Sequence, residues 1–206
     1  MLGVRAPNGS QLLFFPMWDC TVSAGYKNKA YKKANGYTHY GVDFDSKRAV
    51  DFDVLASGSG VVLGVERNLN SIGGVVVIKY DNVYNPTTKK TKTLIARYYH
   101  FYDIEVKKGD KVKAYDVIGT VSGTHKWWNH VHLELDTDVK YPFYTPQVSE
   151  KGSVLLTQGG LKAFVLERSI IDPMTVLVVG KRQMAKVHSL AKYADKEQDA
   201  PKYYET

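Results

Sequence analysis

The chain is poor in cysteine and in long apolar runs, and it shows no internal repeat. Its 206 residues include one cysteine, Cys20, which excludes an intramolecular disulfide framework and a cysteine-based zinc site. Apolar runs such as VVVIKY and MTVLVV are far shorter than the roughly 20 residues needed to cross a bilayer. The N-terminus lacks a charged start followed by a long apolar stretch. We therefore expect neither a membrane span nor a secretory signal.

The composition is compatible with one domain that buries a sizeable core. Hydrophobic residues make up 44% of the chain, as in globular proteins. The net charge of +7 favours polyanionic partners, and nucleic acid, anionic lipid and an acidic cell-wall polymer are all candidates. Because the lysines are spread along the chain, they are more typical of a solvated surface than of a binding stripe.

The hydrophobic pattern predicts mostly β structure. Between about residues 39 and 135, β-branched runs such as GGVVVIKYD, TLIARYYHFYDIEV and HVHLEL are separated by glycine-containing turns, which predicts an antiparallel sheet. Residues 81–93 are rich in Asn, Pro and Thr and are predicted to form a long hairpin loop. Asp172 before Pro173 predicts the start of a short helix. From about residue 181 we expect one weak helix followed by a polar tail.

The segment NHVHLEL contains two histidines separated by one apolar residue. In an extended strand His130 and His132 point the same way, while Val131 and Leu133 take the opposite face. A metal site and an acid–base pair both use this arrangement, and a pair of exposed strand histidines without a role looks the same. The motif by itself leaves these interpretations open.

The earlier segment THYGVDFD places another histidine and an aspartate on one side of the chain. His39, Gly41 and Asp43 project the same way when extended, and Gly41 leaves a vacancy in which an ion would fit. A straight strand separates the α-carbons of residues 39 and 43 by about 13 Å. Both side chains then cannot reach one metal at roughly 2 Å, so the backbone must bend near Gly41. The alternative is a turn in which Asp43 caps a neighbouring amide.

Three short motifs together resemble the zinc endopeptidase family that includes lysostaphin and LytM. The family pattern has His, Gly and Asp at alternate positions, then Tyr-x-His, then His-x-His on a strand. Here these motifs are HYGVD at 39–43, YYH at 98–100 and HVH at 130–132, in the same order. The resemblance spans about residues 36–180.

The resemblance implies a lysostaphin-like fold of the duplicated hybrid motif type: an antiparallel sheet with long loops flanking a groove and a short C-terminal helix. It covers a zinc peptidase domain, 36–180. We expect an N-terminal segment, 1–35, to pack on this domain and a C-terminal helix or tail, 181–206, to follow it. KWWN precedes His130 where relatives usually carry a small Thr-Gly-Pro segment, and the stretch 136–170 is enlarged. These departures concern substrate specificity.

The resemblance implies one Zn²⁺ per chain with His39, Asp43 and His132 as its ligands. Three nitrogen and oxygen ligands leave a fourth position for water, as in catalytic zinc sites. The chain has no H-E-x-x-H helix to supply a glutamate base. The family's two non-ligand histidines are therefore assigned to proton transfer: His130 as base toward the attacking water and His100 as donor to the tetrahedral intermediate, with the reverse as the alternative.

Further residues are expected to support this site. Tyr98 is expected to share a strand face with His100 and to hold the oxyanion or substrate, or else to be a packed tyrosine. Glu134, on the face of the His-x-His pair, is a candidate acceptor for a ligand imidazole. Four aromatic residues are predicted to form the groove walls, with packing in the core as the alternative: Trp127, Trp128, Tyr141 and Tyr144.

The implied substrate is the peptide part of bacterial peptidoglycan, and hydrolysis of its stem or cross-bridge would lyse the cell wall. We expect a monomer that acts at the bacterial wall, either as a phage endolysin or tail lysin or as a domain of a secreted protein. One rival is a catalytically inactive relative that serves as a cell-wall binding or scaffold module. Another is a basic β domain that binds nucleic acid by tyrosine stacking. Since nucleic-acid binding leaves the His and Asp spacing unexplained, we expect no nucleic-acid partner.

Overall fold

Strands dominate the fold. The computed structural model describes residues 5–46, 50–67, 73–123, 129–143, 168–181, 183, 187–195 and 197–202. Within these ranges the strands are β1 (Leu13–Phe14), β2 (Cys20–Ala24), β3 (Val42–Asp45), β4 (Phe52–Leu55), β5 (Gly60–Glu66), β6 (Gly74–Asn85), β7 (Lys90–Phe101), β8 (Asp103–Ile104), β9 (Lys111–Val112), β10 (Val117–Val121), β11 (His130–Asp136), β12 (Ile170–Ile171), β13 (Leu177–Val178) and β14 (Val187–Tyr193). The helical elements there are α1 (Lys29–Asn35) and a 3₁₀ turn (Pro173–Thr175). The mostly β, antiparallel fold class expected from the sequence is confirmed.

One large sheet carries most of these strands. Its order is β14-β2-β3-β11-β7-β6-β5-β9, and β12 pairs with β11 beside this path. β14 is parallel to β2, whereas the other described pairs of this sheet are antiparallel. The smaller groups are β4-β10-β8 and β1-β13. The N-terminal segment thus contributes β2 to the large sheet and β1 to a pair with β13.

The two faces of the large sheet differ in character. Alternation along β11 sends Val131 and Leu133 to one face, where both are fully buried. That face packs against residues of β1, β4 and β10 in the main hydrophobic core. The opposite face carries His130, His132 and Glu134. Since the core occupies one face, this polar row on the other face is available to form a site.

The hairpin formed by β6 and β7 has a shorter turn than predicted. The sequence predicts a loop over residues 81–93, but the strands stay paired as far as Asn85 and Lys90. The side-chain oxygen of Asn85 closes the turn by accepting hydrogen bonds from the N–H groups of Thr87 at 2.9 Å and Thr88 at 2.8 Å. The prediction of a long loop is wrong because the Thr-rich second half pairs with the preceding strand, across a register shift between Tyr80 and Val83.

The C-terminal part of the chain forms a strand instead of the weak helix expected from about residue 181. Residues Val187–Tyr193 form β14, which pairs with Cys20–Ala24. Without β14, strand β2 would be an edge strand with unpaired backbone groups, and this pairing outweighs a weak local helix propensity. The helix start predicted at Asp172 is confirmed as the 3₁₀ turn, since its side chain accepts a hydrogen bond from the N–H of Met174 at 2.9 Å. No helix in the described residues has the length and apolar character that a membrane crossing requires.

Candidate metal centre

Pairing of β3 with β11 brings two distant motifs together. In this antiparallel pair Asp43 lies opposite His132, and opposite residues in such a ladder have α-carbons about 4.5–5.5 Å apart. The chain bends at Gly41, which brings residues 39 and 43 closer than a straight strand allows. The bend brings the imidazole of His39 against the same carboxylate.

The side chains of these two motifs converge on one point. Nε2 of His39 lies 3.0 Å from Oδ1 of Asp43 and 2.9 Å from Nδ1 of His132. Nδ1 of His132 lies 2.8 Å from the same carboxylate oxygen. All three residues are buried, with exposed fractions of 1%, 5% and 6% for His39, Asp43 and His132. Within the described ranges, this is the group of side chains that is arranged to hold a metal ion.

Hydrogen bonds around the imidazoles determine which nitrogen faces the centre. Nδ1 of His39 lies 2.9 Å from the backbone oxygen of Gly25 and, since a carbonyl only accepts, donates its proton there. Nε2 of His39 therefore presents a lone pair to the centre. Nε2 of His132 faces Oε1 of Glu134 at 3.5 Å, which leaves Nδ1 for the centre. This position agrees with the acceptor role predicted for Glu134.

The donor set fits a divalent cation. Two imidazole nitrogens and one carboxylate oxygen are ligand types that zinc takes in catalytic sites. A buried carboxylate that faces imidazole lone pairs at this distance needs a positive charge between them. A metal ion supplies that charge, and in the metal-free protein a proton does so.

Burial and neighbouring charges set the protonation of the metal-free centre. Burial disfavours the ionised carboxyl of Asp43, but His39 and His130 hold its pKa well below the usual value. Burial also disfavours a charged His132, but the hydrogen bond to Asp43 and the nearby carboxylate of Glu134 outweigh it and raise the pKa of His132 to about 9. Burial lowers the pKa of His130, and Asp43 offsets part of that effect. Near pH 7 and without metal, His132 is therefore protonated and His130 neutral.

We predict that zinc binding releases about one proton near neutral pH. A metal needs the neutral imidazole, so the proton on His132 competes with zinc below about pH 9. The apparent dissociation constant should rise about tenfold for each unit by which the pH falls below that value. Calorimetry in buffers of different ionisation enthalpy counts the released protons, and a pH-independent affinity would contradict the prediction.

The same shift makes the stability of the metal-free protein depend on pH. The pKa of His132 is higher in the folded chain than the value of about 6.5 expected when unfolded. Its contribution to stability is therefore complete below about pH 6.5 and is lost as the pH rises through about 9. Chemical denaturation of the metal-free protein between about pH 6.5 and pH 9 should show a free energy of unfolding that falls as the pH rises.

Gly41 makes room for a ligand imidazole and not for the ion. A β-carbon at this position would lie 2.5 Å from the backbone oxygen of Leu133 and 2.6 Å from Nε2 of His132. The ring of His132 thus fills the predicted vacancy, and the expectation that an ion lies there is wrong. The reason is the strand register, since Val42 pairs with Leu133 and so places the His132 ring beside the glycine.

A β-bulge in β7 directs His100 towards the candidate ligands. The register between β6 and β7 shifts between Gly74 and Val75. His100 has a φ of 75°, in the left-handed region that costs a non-glycine residue about 1 kcal/mol or more. Its ring centroid lies 4.6 Å from that of His130 and 6.1 Å from that of His132. Backbone strain of this kind is typical of functional sites.

The same bulge turns Tyr98 into the core and Tyr99 towards the site. Tyr98 is fully buried in the main hydrophobic core, whereas the ring centroid of Tyr99 lies 5.3 Å from that of His132. The expectation that Tyr98 shares a face with His100 is wrong, because the extra residue of a bulge shifts the alternation of the strand. Sequence reasoning missed Tyr99 for the same reason, and it also missed Arg97, which lies behind the centre.

We expect Tyr98→Phe to affect stability and not the site. The Tyr98 hydroxyl lies 2.8 Å from that of Tyr80 and donates a hydrogen bond to Oγ of Ser57 at 2.9 Å. Loss of these buried contacts should lower the free energy of unfolding by about 1 kcal/mol. Zinc affinity and turnover should not change. Chemical denaturation measures the stability, chelator competition the zinc affinity, and peptidoglycan digestion the turnover. A large loss of turnover at normal stability would make Tyr98 a catalytic candidate again.

The predicted groove walls are only partly described. Tyr141 is half-buried, with Nζ of Lys140 5.2 Å from its ring centroid. The next residue, Pro142, accepts a hydrogen bond from Arg97 through its backbone oxygen. The other three aromatic residues lie outside the described residues: Trp127, Trp128 and Tyr144. The groove-wall role of all four stays a prediction.

Comparisons with known proteins give a family match and a curated relative. The model of the family described as Peptidase family M23 matches residues 37–142. Stage II sporulation protein Q of Bacillus subtilis (strain 168) is 34% identical over 102 residues, which cover 48% of this chain and 32% of that protein. The chain therefore matches about a third of the length of this curated relative.

Two solved structures align with parts of the chain. The structure of the SpoIIQ-SpoIIIAH pore forming complex aligns with a TM-score of 0.55 and 20% identity, covering 87% of this chain and 99% of that chain. The NMR solution structure of lysostaphin aligns with a TM-score of 0.46 and 24% identity, covering 63% of this chain and 49% of that chain. At 20% identity, the first of these supports the fold alone.

Proposed function

Because the chain belongs to peptidase family M23, we propose that it is a zinc-dependent endopeptidase that hydrolyses peptide bonds in the stem or cross-bridge of bacterial peptidoglycan. The observation that carries the proposal is the convergence of His39, Asp43 and His132, whose ligand atoms lie 2.8–3.0 Å apart. A closed structural zinc site has four protein ligands, whereas a catalytic site has three and keeps one position open. The three-residue set therefore supports a catalytic zinc.

The protein would hold the metal through two imidazoles that are oriented from outside. His39 is fixed by the backbone oxygen of Gly25, and His132 is faced by the carboxylate of Glu134. Partners of this kind set the tautomer and the ring orientation of metal-binding histidines. When bound, zinc supplies a Lewis acid that polarises the scissile carbonyl and lowers the pKa of an attacking water.

We assign proton transfer to two further histidines, His130 and His100. Nε2 of His130 lies 3.8 Å from Oδ2 of Asp43, and its side chain is 23% exposed. Since burial lowers its pKa, His130 is neutral near pH 7 and able to take the proton of the attacking water. His100, whose ring lies 4.6 Å from that of His130, donates a hydrogen bond to the carbonyl oxygen as negative charge develops there.

A non-enzymatic role is the rival proposal. The similar Bacillus subtilis protein is named for sporulation, and the aligned SpoIIQ structure is described as part of a pore forming complex. A member of this family that only binds or scaffolds needs no converged metal ligands and no strained histidine beside them. The presence of both in this chain favours hydrolysis.

Digestion of purified peptidoglycan distinguishes the two roles. Zinc-loaded protein is incubated with peptidoglycan from several bacteria that differ in stem and cross-bridge, and mass spectrometry identifies the new termini. We expect new peptide termini from at least one source, far fewer from His130→Ala, and none from chelator-treated protein. A protein that holds zinc, sediments with peptidoglycan and releases no termini from any source would favour the scaffold.

The proposal sets the place of action at the bacterial cell wall. The chain would reach it as a phage lysin or as part of a secreted protein, and its net charge of +7 would favour retention on anionic wall polymers.

A further inference from the structure

Behind the candidate metal centre lies a fully buried arginine. Arg97 on β7 has no exposed surface, and a desolvated guanidinium is costly unless its donors are paired. Its Nε donates to Oε2 of Glu134 at 2.8 Å, its Nη2 to Oδ2 of Asp136 at 2.9 Å, and its Nη1 to the backbone oxygen of Pro142 at 3.1 Å. The guanidinium therefore bridges two carboxylates of β11 and anchors the segment that follows it.

Strand register explains why these charges meet. His132, Glu134 and Asp136 occupy alternate positions of β11 and so share one face. In the pairing of β11 with β7, Glu134 lies opposite Arg97 and His132 opposite Tyr99. The buried network is thus continuous with the face that carries the metal ligands.

The two carboxylate oxygens of Glu134 contact different groups. Oε2 accepts from Arg97 and from the hydroxyl of Tyr99, which lies 3.4 Å away. Oε1 faces Nε2 of His132 at 3.5 Å. That nitrogen is buried and makes no hydrogen bond of normal length to the described residues. One oxygen is therefore anchored, and the other is directed at the outer nitrogen of a ligand imidazole.

The charge of Arg97 determines what Glu134 can do. A carboxylate paired with a guanidinium is an acceptor only, so Nε2 of His132 must be the nitrogen that carries a proton. Nδ1 is then free to present its lone pair to a metal. Without the arginine, Glu134 and Asp136 would be two buried carboxylates on one face that lack the guanidinium bridging them.

We propose that Arg97 is a positioning residue for the metal centre: by anchoring Glu134, it selects the His132 tautomer that coordinates through Nδ1. The inference rests on the proposed zinc site and not on cleavage of any particular bond. It gives a role to a buried arginine whose guanidinium donates to Glu134, Asp136 and Pro142.

Glu134→Gln tests the inference sharply. Arg97 only donates, so it should keep the amide oxygen of Gln at its side and turn the NH₂ group towards His132. An NH₂ donor favours a lone pair on Nε2 and a proton on Nδ1, which is the tautomer that blocks the centre. The variant should still fold, since Arg97 keeps Asp136 as its counter-charge.

The main measurement is zinc affinity by competition with a chromophoric chelator. We expect the dissociation constant to rise about tenfold to a hundredfold in Glu134→Gln. Arg97→Lys should change it in the same direction, because a lysine ammonium cannot reproduce the fixed fork that bridges both carboxylates. Long-range ¹H–¹⁵N spectra of histidine-labelled, zinc-loaded protein should show Nε2–H and metal-bound Nδ1 at His132.

Asp136→Asn is the matched control. It removes the negative charge from the other carboxylate that Arg97 contacts, at the same depth and on the same strand, but it leaves the contact between Glu134 and His132. We expect lower stability with zinc affinity close to wild type. Equal losses of affinity in Asp136→Asn and Glu134→Gln would reduce Arg97 to a structural role and overturn the proposal. Wild-type affinity in a folded Glu134→Gln variant, or a metal bound through Nε2, would overturn it as well.

These results are separable from the peptidase proposal. Protein that binds zinc and loses affinity in Glu134→Gln, but cleaves no peptidoglycan, would support the role of Arg97 and contradict the proposed reaction. If the wild-type protein cleaves peptidoglycan and the Glu134→Gln variant keeps its zinc affinity, the proposed reaction is supported and the role of Arg97 is contradicted.

Discussion

Replacing His132 with Ala is expected to remove zinc and hydrolysis together, whereas replacing His130 with Ala is expected to keep one zinc per chain and to lower turnover strongly. His132 supplies Nδ1 to the centre at 2.8 Å from Asp43 and 2.9 Å from His39. His130 lies on the same strand face, but its Nε2 is 3.8 Å from the other carboxylate oxygen. The first change removes a ligand, and the second removes a group that transfers a proton.

The expected magnitudes differ accordingly. Loss of a positioned acid–base group lowers the rate by about 10²- to 10⁴-fold, so His130→Ala should retain a small residual activity at normal zinc content. Loss of a ligand should bring activity to background at any zinc concentration that the assay tolerates. Tyr98→Phe is the control, since it alters a buried aromatic side chain outside the site. If His130→Ala cleaves at the wild-type rate, the assignment of His130 is wrong.

Replacing Gly41 with Ala should abolish tight zinc binding although every ligand is retained. The new methyl group would lie 2.5 Å from the backbone oxygen of Leu133 and 2.6 Å from Nε2 of the His132 ring. The backbone oxygen belongs to a paired strand and cannot move easily, so the imidazole or β3 must shift. Overpacking of this kind costs about 1–3 kcal/mol of stability. The shift should also move Nδ1 of His132 away from His39 and Asp43.

Gly60→Ala is the matched control for this effect. Its β-carbon would lie 2.5 Å from the backbone oxygen of Lys79 and 2.6 Å from the ring of Tyr80, which is a similar clash in another part of the large sheet. Gly60→Ala should lose comparable stability and keep its zinc affinity. Chelator competition and thermal denaturation on both variants separate the effects. Wild-type zinc affinity in Gly41→Ala would show that the position of the His132 ring does not depend on the space beside residue 41.

Much of the metal site is predictable from the sequence because its parts are local motifs. Alternation in HVHLEL and the glycine in HYGVD indicate which side chains share a face, and the structure brings His39, Asp43 and His132 together. Antiparallel pairing is predictable from β-branched runs separated by turns. The position of Glu134 follows from the same alternation.

The sequence-based predictions fail where pairing with a distant segment or an irregularity of the backbone determines the structure. The bulge at His100 requires a positive φ in a non-glycine residue, and nothing in YYH indicates it, so Tyr98 and Tyr99 exchange faces. β14 forms because β2 offers a partner more than 160 residues earlier in the chain, which local propensity cannot reveal. For Arg97 a signal existed, since two acidic residues at alternate positions of a strand that also carries the core predict a buried cation.

Zinc content of the purified chain tests the central claim most directly. The protein is stripped with a chelator, incubated with excess Zn²⁺, desalted and analysed by mass spectrometry of the intact metal complex. We predict one zinc per wild-type chain, and none in His39→Ala, Asp43→Ala or His132→Ala variants that remain folded. A folded wild-type protein that takes up no zinc, or a His132→Ala variant that keeps the full amount, would contradict the account.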